Sequence, residues 1–290
     1  MIGKIGVTRQ VPAGRYFAGL CLAATLGLAM TSAGCAKLKA RDHLNQGVNA
    51  FKIGQYAAAA DEFRLAIDAD PTFGTARLYL ATAYEQQFVP GTETDENKKY
   101  WKAAMDEFQK VLDSNPDAAD KLLATQSVAN LHYQVKDMKS ATEWNKKVIE
   151  LDPKNKEAYY TLGVIPWLDF IPADREARLA MGMKVDEQAP LKNDAKGKTT
   201  KADLKTKYWQ ALTDGIEYEK KALAIDPQYE NAMSYMNLLI RYRADLEDTK
   251  EAFDADWKEA DVWLNKAMQT TKEKAAKKAE ALANGATPTE

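Results

Sequence analysis

From about residue 40 the apolar positions recur at the three- and four-residue steps of an amphipathic helix, and the helical runs come in pairs closed by proline. RDHLNQGVNAFKIGQYAAAADEFRLAIDADP ends at Pro71, and GTARLYLATAYEQQF with WKAAMDEFQKVLDSNP ends at Pro116. TQSVANLHYQVKDMKSATEWNKKVIELDP ends at Pro153. EAYYTLG opens a fourth pair that GIEYEKKALAIDP closes at Pro227, and ENAMSYMNLLIRYRADL with DWKEADVWLNKAMQTT makes a fifth. Proline stops a helix because it lacks the N–H of the backbone ladder and its ring clashes with the preceding turn, at a cost of roughly 3 kcal/mol. The same reasoning applied to Pro166 predicts that the fourth pair's first helix ends there.

The first pair carries Gly47, Gly54, Tyr56, Ala59, Phe63, Ala66 and Pro71, and this spacing resembles the tetratricopeptide repeat (TPR), a unit of about 34 residues built from helices A and B. Later pairs follow the same grid with Leu80, Ala81 and Tyr84; Ala104, Phe108 and Pro116; Val128, Ala129, Ala141 and Pro153; and Leu162, Gly163, Ala222 and Pro227. The resemblance covers about residues 40–270. It implies an all-α fold, a right-handed α-α superhelical TPR solenoid of about five helix pairs with two insertions. Gly47 and Ala59 would lie where helices A and B touch, with Phe63 filling the space beyond.

The stop prolines are 45, 37 and 74 residues apart. The first excess falls in the Gly/Asp/Asn/Thr-rich stretch 89–99, expected as a loop. The last is expected as an insertion, 166–204, its first part packed on the array and its polar part PLKNDAKGKTTKADLK a mobile loop, with helix B resuming near Lys205. Two degenerate repeats of 37 residues, with Pro190 as a lost stop, are the alternative. KAAKKAEAL lies in a C-terminal segment, 271–290, expected as a helical cap and disordered tail.

Residues 1–34 have the build of an export signal: Lys4, Arg9 and Arg15 without an acid, an apolar run from about Phe17 to Met30, then small residues. Ser32-Ala33-Gly34-Cys35 resembles a bacterial lipobox, which implies that Cys35 becomes the first mature residue and carries the lipid, with residues 35–39 as a short tether. A plain signal peptide cut near Ala33 or Ala36, or an uncleaved anchor, are the other readings of the same segment. Lys37, Lys39 and Arg41 would then lie near lipid headgroups or simply in solvent. Ala36 differs from the Asp that retains such proteins at the inner membrane, so the resemblance implies the periplasmic face of the outer membrane.

Of 290 residues, 46% are hydrophobic and 28% charged, with a formal net charge of −2. Without residues 1–34 there are 37 basic and 42 acidic side chains, a balance that argues against a nucleic-acid partner. Both cysteines, Cys21 and Cys35, precede the repeats, so the body has no disulfide and no thiolate metal site. His43 and His132 are the two histidines, on helix A positions expected to pack. There is no HExxH, no phosphate-binding glycine loop and no nucleophile elbow. The expectation is a binding protein, not an enzyme, with no cofactor and no metal.

In the TPR family, ligand contacts come from helix A. Carried over residue by residue, those positions hold Asn45 and Phe51; Tyr79, Thr82 and Gln86; Gln126, Asn130 and Tyr133; Tyr160, Val164 and Trp167; and Tyr235, Leu238, Arg241 and Tyr242. Asn130 sits where peptide-binding members often place an Asn that hydrogen-bonds ligand backbone. Tyr, Trp and Arg dominate binding hot spots, although the same aromatics could pack on the next repeat. Trp167 is either a ligand anchor or the residue that pins the insertion. The resemblance implies a scaffold or assembly factor at the bacterial cell envelope, binding a partner peptide or protein. The alternative is a binder of small molecules or glycans whose groove the 166–204 insertion closes, and a third possibility is an envelope protein that self-associates.

Overall fold

The computed structural model describes residues 15–284 except 188 and 193, with side chains from residue 34 onward. The expected leader, 1–34, therefore lies partly outside the described residues, as does the end of the expected tail. Among the described residues the regular elements are ten helices. The chain divides after Asp120 into two units.

The first unit holds α1 (Arg15–Lys52), α2 (Tyr56–Ala69), α3 (Gly74–Gln87) and α4 (Asp95–Asp113). Residues 35–39, expected as a tether, continue α1. Ala59, Ala60, Phe63, Leu80 and Ala83 form its buried core, with Leu44, Val48, Phe51, Ile67 and Tyr84 around them. The close approach of α1 and α2 depends on Gly47: a Cβ there would stand 2.5 Å from the Phe63 ring. Gly54, at φ +76°, turns the chain between the two helices, a conformation that side chains resist. His43 is part-buried and bonded to Glu62 at 2.8 Å, a packing role.

Residues 89–99 are not simply a loop, because α4 begins at Asp95. Thr94 caps that helix by accepting from the Asn97 N–H. The Asn97 side chain, 5% exposed, accepts from Val89 N at 2.7 Å and donates to the carbonyls of Val89 and Thr92 at 2.9 and 2.7 Å. One buried amide thus satisfies the backbone of the connection.

The second unit holds α5 (Ala118–Gln134, which begins just before the division), α6 (Met138–Leu151), α7 (Lys156–Ala180), α8 (Ala195–Ile225), α9 (Glu230–Ala244) and α10 (Lys250–Ala283). Ala129, Val148 and Ala158 join α5, α6 and α7. Phe170, Leu212, Ile216, Met236, Leu239, Ile240, Leu246 and Ala260 form the larger core of α7 to α10. In α10 the residues from 271 to 283 are exposed, as a continuation of the helix that closes the fifth pair.

Three of the four stops share one device. Asp70, Asp152 and Asp226 follow the last helical residue in extended conformation. Each accepts, across the proline, the N–H two residues on: Thr72, Lys154 and Gln228, at 3.1, 3.1 and 3.0 Å. The aspartate supplies the turn and the proline forbids another helical bond. At Asp226 the bond from Lys156 and that N–H hold the carboxyl below its ordinary range.

Pro166 does not end its helix. α7 runs through Pro166 and Pro172 to Ala180. The penalty of a proline is offset by what the continuing helix buries: Phe170 is fully inaccessible and Trp167 packs on the same core, where one such side chain contributes roughly 1.5–3 kcal/mol. The expected insertion 166–204 is accordingly a lengthening of both helices of the fourth pair, and helix B starts at Ala195, not near Lys205. Its polar segment is held rather than free. Asp194 caps α8 through Gly197 N at 2.7 Å, Lys201 donates to the Glu247 carbonyl at 2.8 Å, and Lys205 pairs with Asp248 at 2.7 Å. Ala177, Met181, Met183 and Leu191 form a small apolar cluster of their own where the two helices connect.

The Gly47 contact yields a direct test. Gly47→Ala drives a methyl into the Phe63 ring and should destabilise the protein by about 1–3 kcal/mol. Gly74→Ala, at a position with nothing within 4 Å of the added atom, should change stability by less than ~0.5 kcal/mol. Urea unfolding of the two variants checks the difference; equal effects would show that the contact does not matter.

Candidate functional site: the helix A face of the second unit

Helical periodicity puts Gln126, Asn130 and Tyr133 on one face of α5, Tyr160 and Trp167 on one face of α7, and Tyr235, Leu238 and Tyr242 on one face of α9. The fold brings the α5 group together. Gln126, Asn130 and Tyr133 line a cleft of about 270 Å³ with Asn145 and Val148 of α6, Asn155 of the connecting turn, and Glu157, Ala158 and Thr161 of α7. Two of the amides are oriented by the backbone. Asn145 donates to the Ala141 carbonyl at 2.8 Å, and Asn155 accepts from Ala158 N at 3.0 Å as the α7 cap. Tyr133 is half-buried, which pushes its phenol up, so its hydroxyl stays a donor at neutral pH.

The α7 and α9 aromatics do something different. Tyr160 meets Tyr229 and Tyr235, each with 5.4 Å between ring centroids; Trp167 stands edge-on to Tyr235 at 5.2 Å and near Tyr242 at 6.5 Å. Phe170 continues the row to Tyr242 at 5.9 Å and Tyr208 at 5.2 Å. This ladder joins α7 to α8 and α9, with edge-to-face contacts worth about 0.5–1.5 kcal/mol each beyond area. Trp167 is a packing residue here: its indole nitrogen is buried without an acceptor. Burial also pushes up the phenols of Tyr160, Tyr229 and Tyr242, and Tyr229 donates to Glu157. Val164 is buried.

Leu238, Arg241 and Tyr242 line a second cleft, of about 310 Å³, with Asn237, Trp257 and Leu264, with Asp174, Arg178 and Asp245, and with residues 185–187 of the α7–α8 connection. Arg241 donates to Asn237 at 2.7 Å, pairs with Asp261 and stacks on Trp257 at 4.1 Å. In the first unit, Asn45 is exposed, Tyr79 stacks on Phe63 at 5.5 Å and the Thr82 hydroxyl donates to the Leu78 carbonyl. Phe51 packs edge-on to Tyr56, at 5.0 Å, and Gln86 is exposed. Cys35 is an exposed free thiol.

No protein-family model matches the sequence, and no curated protein does. Among solved structures, MamA aligns over 82% of this chain and 94% of its own, with a TM-score of 0.51 at 15% identity. MamA from Desulfovibrio magneticus RS-1 aligns over 81% and 96%, with a TM-score of 0.51 at 17% identity. YrrB, a TPR protein, aligns with a TM-score of 0.46 at 14% identity, below the level at which shared topology is established. Five helix pairs on the repeat grid, carrying its small and aromatic residues at the helix crossings, agree with the MamA likeness. The fold is a TPR fold.

Within this TPR fold the charges that sequence reasoning missed are buried ones. Arg178 is 4% exposed and lies between Asp174 (1%) and Asp245 (4%). Its Nε donates to Asp174 Oδ2 at 2.9 Å and an Nη to Asp245 Oδ2 at 2.5 Å, while the other Nη reaches the carbonyls of Glu187 and Ala189, both at 3.1 Å. One guanidinium cannot fully compensate two desolvated carboxylates. Burial pushes Asp245 up to about 7 against the pull of Arg178, and it raises Asp174 too. Glu219 is fully buried under Gly163, with neither oxygen bonded, and burial alone pushes it up to about 9. The only sequence signal was Asp174 and Arg178 at the i, i+4 spacing of a helical ion pair.

The sign of the pH dependence follows. A carboxyl whose folded pKa is raised keeps its proton longer in the folded state, so stability falls as pH rises from the ordinary carboxylate range through the folded pKa. For Asp245 the loss spans about pH 4 to 7, and for Glu219 about pH 4.5 to 9. Asp245→Asn should flatten the lower window and Glu219→Gln the upper one. Thermal midpoints measured from pH 4 to pH 9.5 test both, and parallel curves for wild type and variants would refute the assignment.

Proposed function

We propose that this chain is a lipid-anchored TPR scaffold of the bacterial cell envelope that binds an extended segment of a protein partner in the cleft between α5, α6 and α7. The observation that carries the reading is the convergence of Gln126, Asn130, Asn145 and Asn155 with the Tyr133 and Thr161 side chains on one small cleft. Carboxamides both donate and accept, which matches the alternating N–H and C=O of an extended backbone. A volume of about 270 Å³ admits a short run of peptide.

Anchoring through Cys35 is supported by the lipobox-like Ser32-Ala33-Gly34-Cys35 and by the exposure of that thiol. Lys37, Lys39 and Arg41 are exposed beside it, placed to meet anionic headgroups. Two acyl chains on Cys35 give the durable attachment that one does not. The periplasmic face of the outer membrane is the proposed location, from Ala36. The small-molecule alternative draws on one observation, the 310 Å³ cleft walled on one side by residues 185–187.

Crosslinking and pull-down from membranes tests the peptide reading. Wild type should capture one envelope protein, and Asn130→Ala/Tyr133→Ala, still folded by circular dichroism, should lose it. Capture that survives the double substitution places binding elsewhere. Separately, Cys35→Ser should move the protein out of the membrane fraction and abolish incorporation of labelled fatty acid; retention of label would overturn the anchor.

A further inference from the structure

The 310 Å³ cleft at the end of the fourth helix pair has a charge composition that the peptide reading does not use. Asp174, Asp186, Glu187 and Asp245 line it against Arg178 and Arg241. Arg241 already has a carboxylate of its own in Asp261, outside the cleft lining. Arg178 pairs with both Asp174 and Asp245, while Arg175 lies near enough to Asp174 to act on it without a direct pair. Each of those acids has a second oxygen, Oδ1, that is shielded from solvent and receives no hydrogen bond from the protein. Charge at this depth is expensive, because several kcal/mol of hydration are lost per ion, and either a retained proton or a further cation close by relieves it.

We propose that this cleft binds a cation of the ammonium or guanidinium class, such as a lysine or arginine side chain presented by a partner. Tyr242 and Trp257 provide the apolar wall for the alkyl stem. Asp186 and Glu187, exposed on the α7–α8 connection, stand at the rim. Asp174 and Asp245 act through the wall of the cleft, where the low dielectric preserves their attraction. The site belongs to the lengthened fourth pair: Asp174 and Arg178 lie in the part of α7 beyond Pro166, and Glu187 and Ala189 give Arg178 their carbonyls. The proposal stands whether or not the α5–α7 cleft takes a peptide.

The test uses the purified full chain and three capped probes: N-acetyl-lysine methylamide, N-acetyl-arginine methylamide and the neutral N-acetyl-norleucine methylamide. The readout is the indole N–H resonance of Trp257, assigned with Trp257→Phe. The cationic probes should shift it saturably, and binding should weaken about tenfold for the neutral probe and for Asp245→Asn, the effect of removing one close charge partner. Equal shifts from all three probes, or no saturable shift from any of them or from 1,5-diaminopentane, would overturn the proposal, and the comparison on wild type needs no variant to fold. 1,5-Diaminopentane separates the sources: a response to it with none from the capped residues assigns the site to a free amine, and a response to the capped residues assigns it to a partner's side chain.

Discussion

Everything in the two units rests on helices brought close at small residues, so that glycine and alanine at the crossings let the large side chains fill the core beyond them. Gly47 makes room for the Phe63 ring, and Gly163 makes room for Glu219 where α7 crosses α8. At that second crossing Gly215 also stands close, within 3.1 Å of the Gly163 carbonyl if a Cβ is added. Packing at crystal-like density leaves no slack for an added methyl. The same economy frees the other face of each helix A, since the crossing is made with small residues and the larger polar and aromatic ones remain for contacts elsewhere.

In the second unit those larger residues divide into two kinds. The α7 and α9 aromatics are consumed in a ladder that stiffens the fourth and fifth pairs, and Trp167 belongs to it. The α5 residues, facing the amides of α6 and its following turn, leave a polar cleft. A rigid aromatic wall beside an amide-lined opening is a preorganised surface, and preorganisation reduces the ordering cost of binding.

The lengthened fourth pair adds a feature that a minimal repeat lacks. Arg178 ties α7 to α9 through Asp245 and to the α7–α8 connection through two carbonyls. A buried ion cluster of this kind contributes little net stability, because desolvation opposes the attraction. Its consequence is positional: the connection is held against α7, and the acids that hold it give the adjoining cleft its charge.

Helix pairing, the Asp-Pro stops, the small residues at crossings and the absence of a cysteine from the body were all legible in the chain, because each is a matter of local spacing or local backbone chemistry. The α5 part of the site was legible too, as Gln126, Asn130 and Tyr133 share a face by periodicity alone. Pro166 shows where local reasoning stops. Its cost is local, but the burial of Phe170 and Trp167 that offsets it comes from α8 and α9, dozens of residues away. The pairing of Arg178 with Asp245 and the burial of Glu219 were likewise decided by the tertiary structure. Sequence periodicity reports which side of a helix is apolar; what stands opposite a given side chain, and so whether a charge is hydrated or buried, is set only when distant segments pack.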